Sequence, residues 1–217
     1  MPVEGRDTEL PPVALERLAP PALRRRFANP PRWEPEFAGD RFRLRPDPPR
    51  PAAVLVPIVA HRSGPTVLLT ERTAHLHDHA GQVAFPGGRT DPHDSSAVAT
   101  ALRETREEIG LAPERIEVLA ELPVYLTGTG YRVTPIVGLV EPGFELTLDA
   151  FEVAEAFEVP LEFLMNPRHH ERRRVVHGEI DRTFYAMPWH CERRSREYFI
   201  WGATAAMLRN LYRLLSA

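Results

Sequence analysis

Twenty-five residues, GGRTDPHDSSAVATALRETREEIGL, run from Gly87 to Leu111 and carry the strongest structural signal in the chain. Their second half predicts a helix from about Ser95 to Ile109. Asp94, Ser95 and Ser96 are candidate N-caps, and Gly110 is placed to end the helix in a left-handed conformation. Apolar residues recur at helical spacing and are expected to form its packed face: Val98, Ala101, Leu102, Thr105 and Ile109.

Three carboxylates in this helix, Glu104, Glu107 and Glu108, are spaced by three and four residues and are expected together on the opposite face. Each like-charged pair costs roughly 0.2–0.5 kcal/mol, and the negative end of the helix dipole adds to the repulsion. A hard divalent cation such as Mg²⁺ would turn this repulsion into attraction. The alternative is a solvated acidic face, neutralised by the neighbouring arginines. Two glycines before the helix allow the backbone to approach a ligand closely.

This segment resembles the Nudix box, G-x5-E-x7-R-E-U-x-E-E-x-G-U, where U is aliphatic. Residues 103–111 match every specified position except Thr105, which stands at an aliphatic position. In the first half, Asp94 replaces the glutamate and the spacing to Arg103 is one residue longer. The resemblance implies an α+β Nudix fold, in which a mixed β-sheet lies between α-helices. It also implies a metal-dependent hydrolase that cleaves nucleoside diphosphate derivatives at the pyrophosphate bridge.

The segment from Leu68 to Gly88, LLTERTAHLHDHAGQVAFPGG, is similar to the additional signature of the coenzyme A pyrophosphatase branch. That signature is approximately L-L-T-x-R-S/A-x3-R-x3-G-x3-F-P-G-G, and the inserted aspartate is also typical of the branch. Further similar segments are residues 125–135, 152–164 and 200–205. The resemblance implies cleavage of coenzyme A or a derivative to 3′,5′-ADP and 4′-phosphopantetheine. Alternatives are a Nudix enzyme for ADP-ribose, a dinucleotide or a capped RNA, and a Nudix-fold binding module without catalysis.

The resemblance also assigns roles to individual residues. Mg²⁺ or Mn²⁺ would be bound by Glu104, Glu107, Glu108 and the Gly88 carbonyl. The catalytic set would be Glu104, Arg103 and Glu107, with Arg103 orienting a glutamate. The general base is left open between Glu104 and a later glutamate, namely Glu152, Glu155 or Glu158. The candidate substrate contacts are Arg72, His77, Gln82 and Gly87, although a salt bridge from Arg72 to Glu71 or Asp78 is an alternative. His77 stands where the branch usually has arginine, which would pair bidentately with a phosphate.

The remaining sequence predicts alternating strands and helices without strict βαβ order, which favours an α+β architecture. Strands are expected at 53–60, 66–70, 82–85, 115–122 and 133–140, and a hairpin at 172–186. Helices are expected at 14–18, 22–27, 151–165 with a break at Pro160, and 204–215. Twelve of the 23 prolines lie within the first 51 residues. Residues 1–50 are therefore interpreted as a Pro-rich arm that wraps the body or a partner subunit, and residues 51–217 as the Nudix domain.

Composition excludes several classes of protein. The chain has 217 residues, a formal net charge of −3 and 43% hydrophobic residues, so disorder and charge-driven nucleic-acid binding are not expected. All 27 basic residues other than histidine are arginine, which excludes lysine nucleophiles. A single cysteine excludes an intrachain disulfide. With no signal-peptide pattern and no membrane-length apolar run, we expect a cytoplasmic enzyme with a small-molecule substrate, and the arm and the Arg-rich hairpin favour a homodimer.

Overall fold

The computed structural model describes residues 1–40, 48–75, 81–177 and 180–217. The strands are β1 (Val3–Arg6), β2 (Arg50–Val59), β3 (Thr66–Arg72), β4 (Val83–Ala84), β5 (Gly87–Arg89), β6 (Ile116–Glu121), β7 (Tyr125–Leu126), β8 (Tyr131–Val140), β9 (Val153–Pro160), β10 (Glu171–His177), β11 (Ile180–Cys191) and β12 (Arg196–Trp201). The helices are α1 (Leu15–Leu18), α2 (Pro20–Ala28), α3 (Ala97–Ile109), α4 (Leu161–Leu164) and α5 (Gly202–Ser216).

The larger sheet is mixed, in the order β4-β3-β2-β8-β6, with β5 also paired to β2, β7 to β8 and β9 to β3. Strands β2 and β8 run parallel over ten residue pairs, and the other pairs are antiparallel. Since β2 is buried on both faces, its nearly continuous apolar run, AAVLVPIV, fits a central strand. A second sheet, β1-β10-β11-β12, is antiparallel throughout.

Helices cover both faces of the larger sheet. On one face, Ala53, Leu55 and Ile136 pack with Ala101 of α3. On the other, apolar residues of β2 and β8 share a core with Leu208 and Leu211 of α5, and α5 also packs against β11 and β12. The predicted α+β architecture with a mixed sheet between helices is confirmed.

The helix predicted over residues 151–165 is wrong for most of its length. Residues 153–160 form β9, which pairs antiparallel with β3, and only Leu161–Leu164 are helical. The Ala- and Glu-rich composition favours a helix, but Val153, Phe157 and Val159 are buried on the strand. The free energy of burying these side chains outweighs a propensity difference of less than about 1 kcal/mol per residue.

The N-terminal residues pack against the rest of the chain. Strand β1 pairs with β10, and Leu18, Leu23 and Phe27 of α1 and α2 are buried in the main core. Asp40 accepts hydrogen bonds from the Tyr125 hydroxyl and the Gly128 amide, both at 2.6 Å. Residues 1–40 therefore contribute to the core and also fix the loop after β7. Within the described residues, no helix is long and apolar enough to span a membrane.

Candidate active site at the catalytic helix

Strand β5 supplies two glycines to the site, and each is required by a close approach. Gly87 has φ +146°, and a Cβ there would lie 2.5 Å from the Ala53 carbonyl oxygen. A Cβ on Gly88 would lie 2.6 Å from the carboxylate carbon of Glu104. The Glu104 carboxylate therefore rests directly on the Gly88 backbone, where a side chain would displace it.

Helix α3 begins and ends where the sequence indicates. The Ser96 hydroxyl accepts a 3.1 Å hydrogen bond from the Ala99 amide, which makes Ser96 the N-cap. Gly110 ends the helix with φ +72°. These two caps fix which turns of α3 face the glycines of β5.

The three glutamates of α3 do not share a solvent-facing side, and this part of the prediction is wrong. Glu108 is only 5% exposed and lies on the inward face with Ala101 and Thr105. At 3.6 residues per turn, position 108 lies about 20° from position 101 around the helix. Glu107 points outward and bonds Arg103 at 2.9 Å. The structure thus brings Glu104 and Glu108 to β5 and leaves Glu107 at the surface.

Glu108 is held between backbone and arginine. Its Oε2 accepts a 3.0 Å hydrogen bond from the Gly87 amide, and its Oε1 lies 3.8 Å from Nη1 of Arg72. Burial raises the pKa of Glu108 to about 7, with Glu152 and Glu104 adding to the rise while the Gly87 amide and Arg72 oppose it. Burial also raises the pKa of Glu104, against the opposing effect of Arg103. Both carboxylates are therefore in surroundings that favour neutralisation of their charge.

Arg103 connects four parts of the site. Its guanidinium bonds Asp94 through two hydrogen bonds of 2.9 and 2.8 Å and the Arg89 carbonyl at 3.1 Å. It also contacts Glu104 and Glu107, each at 2.9 Å. The bonds from Arg103 hold the pKa of Asp94 well below its usual range, with the Asp91 amide and the Thr100 hydroxyl helping.

The contact between Asp94 and Arg103 is a feature of the candidate site that the motif alone does not indicate. Asp94 stands where the motif has glutamate, and its two carboxylate oxygens accept hydrogen bonds from Arg103. An aspartate nine residues before an arginine on the same helix entry is the signal in the sequence that could have indicated this pair.

The upstream signature places Arg72 and Gln82 side by side. The Arg72 amide donates a 3.0 Å hydrogen bond to the Gln82 carbonyl oxygen. Glu71, the alternative partner of Arg72, instead accepts two hydrogen bonds from Arg196. The buried Nε of Arg72 has no hydrogen-bond partner in the described part of the chain. His77 and Asp78 lie outside the described residues.

Among the three later glutamates, Glu152 is the one near α3. Its charge raises the pKa values of Glu104 and Glu108. Glu155 is paired with Arg194 and Arg196, and Glu158 is bonded to Thr66 and His61. Of these three glutamates in the described part of the chain, Glu152 is the one that contributes to the raised pKa values of Glu104 and Glu108, whereas Glu155 and Glu158 are paired with other residues.

The loop before β9 positions Glu152 by binding the end of α3. The Thr147 amide donates to the Ile109 carbonyl at 3.0 Å, and the Asp149 amide donates to the Glu108 carbonyl at 2.9 Å. These bonds satisfy carbonyls that a helix end leaves without partners. No local pattern predicts this contact, since Asp149 lies forty residues after the end of α3.

The donors at this site fit a hard divalent cation. No three of the described His, Cys, Asp and Glu side chains already stand together as a complete metal site. Mg²⁺, however, is commonly held by one or two carboxylates, with water and substrate phosphates completing its octahedron. Glu104 and Glu108 supply two carboxylates whose mutual repulsion and burial a cation would offset. Nudix hydrolases in general use divalent cations such as Mg²⁺ or Mn²⁺.

Comparison with known proteins identifies the family. The NUDIX domain model matches residues 49–178. Uncharacterized Nudix hydrolase NudL of Citrobacter koseri is 44% identical over 163 residues, which cover 75% of this chain and 81% of the relative. NudL of Photorhabdus laumondii is 42% identical over 181 residues, covering 79% and 92%.

Among solved structures, a Caenorhabditis elegans Ap4A hydrolase binary complex matches with a TM-score of 0.44 and 23% identity. This match covers 52% of the chain and 81% of the solved structure. The extent of the domain match and the identity to the NudL relatives, together with the α3 site, show that the chain is an enzyme of the Nudix hydrolase family.

Proposed function

We propose that this chain is a metal-dependent diphosphatase that hydrolyses the pyrophosphate bridge of coenzyme A or one of its derivatives. The observation that carries the reaction type is the convergence of Glu104 and Glu108 on the Gly87–Gly88 backbone beside Arg72. The similarity of residues 68–88 to the coenzyme A pyrophosphatase signature supports the substrate. The products would be 3′,5′-ADP and 4′-phosphopantetheine, or its acyl form.

Glu104 and Glu108 are the side chains that would hold Mg²⁺ or Mn²⁺, with the Gly88 carbonyl as a neighbouring oxygen donor. When bound, the cation would neutralise charge on the diphosphate and lower the pKa of water. Arg103 fixes the Glu104 carboxylate from the side of Asp94. Arg72, whose Nε has no hydrogen-bond partner among the described residues and whose Nη1 makes only a loose 3.8 Å contact to Glu108, is the candidate donor to a substrate phosphate. Glu107 as a shared ligand stays a prediction, since it bonds Arg103 at the surface.

We assign the general base to Glu152. In the reaction, a water oxygen forms a bond to one phosphorus, the bridging P–O bond breaks, and the water proton passes to the carboxylate. Glu155 and Glu158 are already engaged by arginine, histidine and threonine partners.

General base catalysis contributes typically 10²–10⁴-fold, so Glu152→Gln is expected to lower kcat by about 100-fold or more. Glu158→Gln is the matched control and is expected to keep kcat within a few-fold. Equal losses of kcat in the two variants would contradict the assignment of Glu152 as the general base.

A product assay tests the proposed substrate. The protein is incubated with coenzyme A and excess Mg²⁺ or Mn²⁺, with EDTA in a parallel sample, and 4′-phosphopantetheine is measured. Metal-dependent formation of this product is the expected result. ADP-ribose and a dinucleotide are assayed under the same metal condition, and cleavage of these without cleavage of coenzyme A would overturn the substrate but keep the reaction class.

A pair of variants tests the metal-binding carboxylate. Glu108→Gln is expected to lose most activity, since the amide cannot replace the carboxylate charge at a cation. Glu114→Gln changes an exposed glutamate outside the site and is expected to keep full activity. Full activity of Glu108→Gln would contradict the assignment of Glu108 as a metal ligand. Inactivity of the wild type on every diphosphate tested would favour the binding-module alternative.

Two further expectations are kept as proposals. A homodimer is tested by light scattering coupled to size-exclusion chromatography, and a monomer would contradict it. Cytoplasmic location is tested by fractionating the source cells.

A further inference from the structure

An exposed aromatic pair is formed by Phe151, which directly precedes Glu152, and His75, three residues after Arg72. Phe151 is 65% exposed, and its ring centroid lies 4.8 Å from that of His75, with the two ring planes at 58°. His75 is exposed as well. A phenyl group of this exposure contributes little to the core, and keeping it in water is unfavourable. The pair therefore presents aromatic faces that a ligand can cover.

The backbone holds Phe151 in place despite its exposure. Its amide donates to Oδ1 of Asp149 at 2.9 Å, and its carbonyl accepts from the Thr73 hydroxyl at 2.7 Å. Asp149 in turn donates its amide to the Glu108 carbonyl. The aromatic side chain is thus displayed by a segment fixed to both α3 and the end of β3. Such preorganisation lowers the entropic cost of binding.

The pair also lies within three residues along the chain of groups assigned to the reaction. Phe151 directly precedes Glu152, and His75 follows Arg72 by three residues. The Thr73 amide donates to the Glu152 carbonyl at 3.0 Å, which joins these two segments. Since consecutive Cα atoms are about 3.8 Å apart, the backbone of Phe151 adjoins that of Glu152, the residue assigned as the general base.

We infer that Phe151 and His75 form the stacking platform for the purine ring of the substrate. This inference rests on the proposed function, because it takes the substrate to be a nucleoside diphosphate derivative. A purine offers a flat π-face that fits a displayed aromatic ring. The pantetheine arm is the other group that an apolar side chain could receive, but it is flexible and amide-rich and has no flat face to match the rings.

Binding of the two separate products tests the inference without requiring turnover. Binding calorimetry measures 3′,5′-ADP and 4′-phosphopantetheine against wild type, Phe151→Ala, Phe151→Leu and Phe151→Trp in the presence of Mg²⁺. Stacking predicts that Phe151→Ala and Phe151→Leu raise the Kd of 3′,5′-ADP about tenfold. Phe151→Trp is expected to restore the affinity, because tryptophan keeps an aromatic face. The Kd of 4′-phosphopantetheine is expected to stay unchanged throughout.

The matched control is Leu15→Ala, which removes a side chain of similar exposure, 64%, from α1. It is expected to leave both Kd values unchanged. A loss of 4′-phosphopantetheine affinity in Phe151→Ala, equal affinity of Phe151→Leu and Phe151→Trp, or no binding of 3′,5′-ADP by the wild type would each overturn the inference. Failure to cleave coenzyme A would overturn only the proposed substrate. Binding of 3′,5′-ADP to the four proteins does not depend on turnover and would still test the stacking platform.

Discussion

At the scale of single residues, Arg103 links Asp94, just before α3, to the carboxylate of Glu104. Its guanidinium donates hydrogen bonds to both carboxylate oxygens of Asp94, and its Nη1 contacts the carboxylate of Glu104. The orientation of Glu104 therefore depends on a residue ten positions earlier in the chain. We propose that Asp94 is a positioning residue, because this effect on Glu104 needs no contact between Asp94 and the substrate.

Asp94→Asn is expected to lower kcat by about 10- to 100-fold, as is typical when the partner of a site residue is replaced. The amide keeps the shape but loses the charge that orients Arg103. KM is expected to change much less, because the substrate contacts are elsewhere. The control is Asp91→Asn, an exposed aspartate three residues away that bonds His93. Steady-state kinetics below the unfolding temperature of each variant measures both constants, and an unchanged kcat would limit Asp94 to stabilising the helix entry.

Thr105 stands at the aliphatic position of the motif and is fully buried. Its hydroxyl has no hydrogen-bond partner among the described residues, and a buried unpaired hydroxyl is costly. Thr105→Val keeps the shape and removes the hydroxyl, so the free energy of unfolding is expected to rise by about 1 kcal/mol. That corresponds to roughly 2–4 °C in Tm for a chain of this size. Thermal unfolding by circular dichroism measures it, and a lower Tm would show that the hydroxyl is bonded.

The sequence alone located Arg103, Glu104 and Glu108 because the motif depends on local spacing. It misplaced the Glu face, because a single helical repeat does not show which side of α3 meets the sheet. Glu108 lies seven residues after Ala101, which is nearly two full turns, so the two residues lie on the same buried face of α3. Burial of a carboxylate goes against its ordinary preference for water, and the β5 amide and Arg72 are the polar partners of Glu108 among the described residues.

At the scale of elements, β5 contributes through its lack of side chains. Gly88→Ala is expected to reduce activity strongly with little change in Tm, because the atom it meets belongs to the movable Glu104 side chain. Gly87→Ala is expected to lower the free energy of unfolding, since its Cβ would meet the β2 backbone and its φ of +146° is unfavourable for alanine. Kinetics and thermal unfolding of both variants separate the effects. A Gly88→Ala enzyme with wild-type kcat would show that Glu104 does not need this contact.

The strands and helices that the sequence predicted correctly have strong local signals. Strands β2 and β8 have long apolar runs, and α3 has caps at both ends. Residues 153–160 failed because their intrinsic preference points to a helix, while pairing with β3 decides the outcome. The position of Glu152 could not be predicted from local sequence either. Its approach to Glu104 and Glu108 depends on a loop bound to the end of α3, which no local pattern reveals.

At the scale of the whole molecule, the buried Arg209 of α5 joins distant parts of the chain. Its guanidinium lies 2.9 Å from Asp7, 2.8 Å from Glu36 and 3.0 Å from Nδ1 of His170. Asp7 and Glu36 both come from the Pro-rich N-terminal residues, and Tyr185 of β11 also bonds Asp7 at 2.6 Å. These partners are separated by up to about 200 positions. The arm was predicted from its prolines, but partners so far apart leave no periodic signal from which this cluster could be predicted.

The same cluster makes stability depend on pH through His170. This fully buried ring donates from Nε2 to the Leu164 carbonyl at 2.7 Å, so Nδ1 is the acceptor that faces Arg209. A proton on Nδ1 would be placed against the guanidinium. Burial, with Arg209 and His169 adding to it, lowers the pKa of His170 to about 4, although the Leu164 carbonyl and Asp7 oppose the shift. The Tyr212 ring lies perpendicular to the His170 ring, with the two centroids 5.6 Å apart.

Below the ordinary histidine pKa of about 6.5, the unfolded chain takes up a proton that the folded chain does not. The free energy of unfolding contributed by His170 is therefore complete above pH 6.5 and falls as the pH approaches 4, by about 3 kcal/mol in total. Glu108 acts in the opposite sense, because its raised pKa stabilises the fold as the pH falls below about 7. Wild type must therefore be compared with His170→Gln, which cannot titrate. Urea unfolding at pH 7.5, 6, 5 and 4.5 is expected to show the wild type losing stability relative to the variant, whereas parallel curves would mean that folded His170 is protonated at its ordinary pKa.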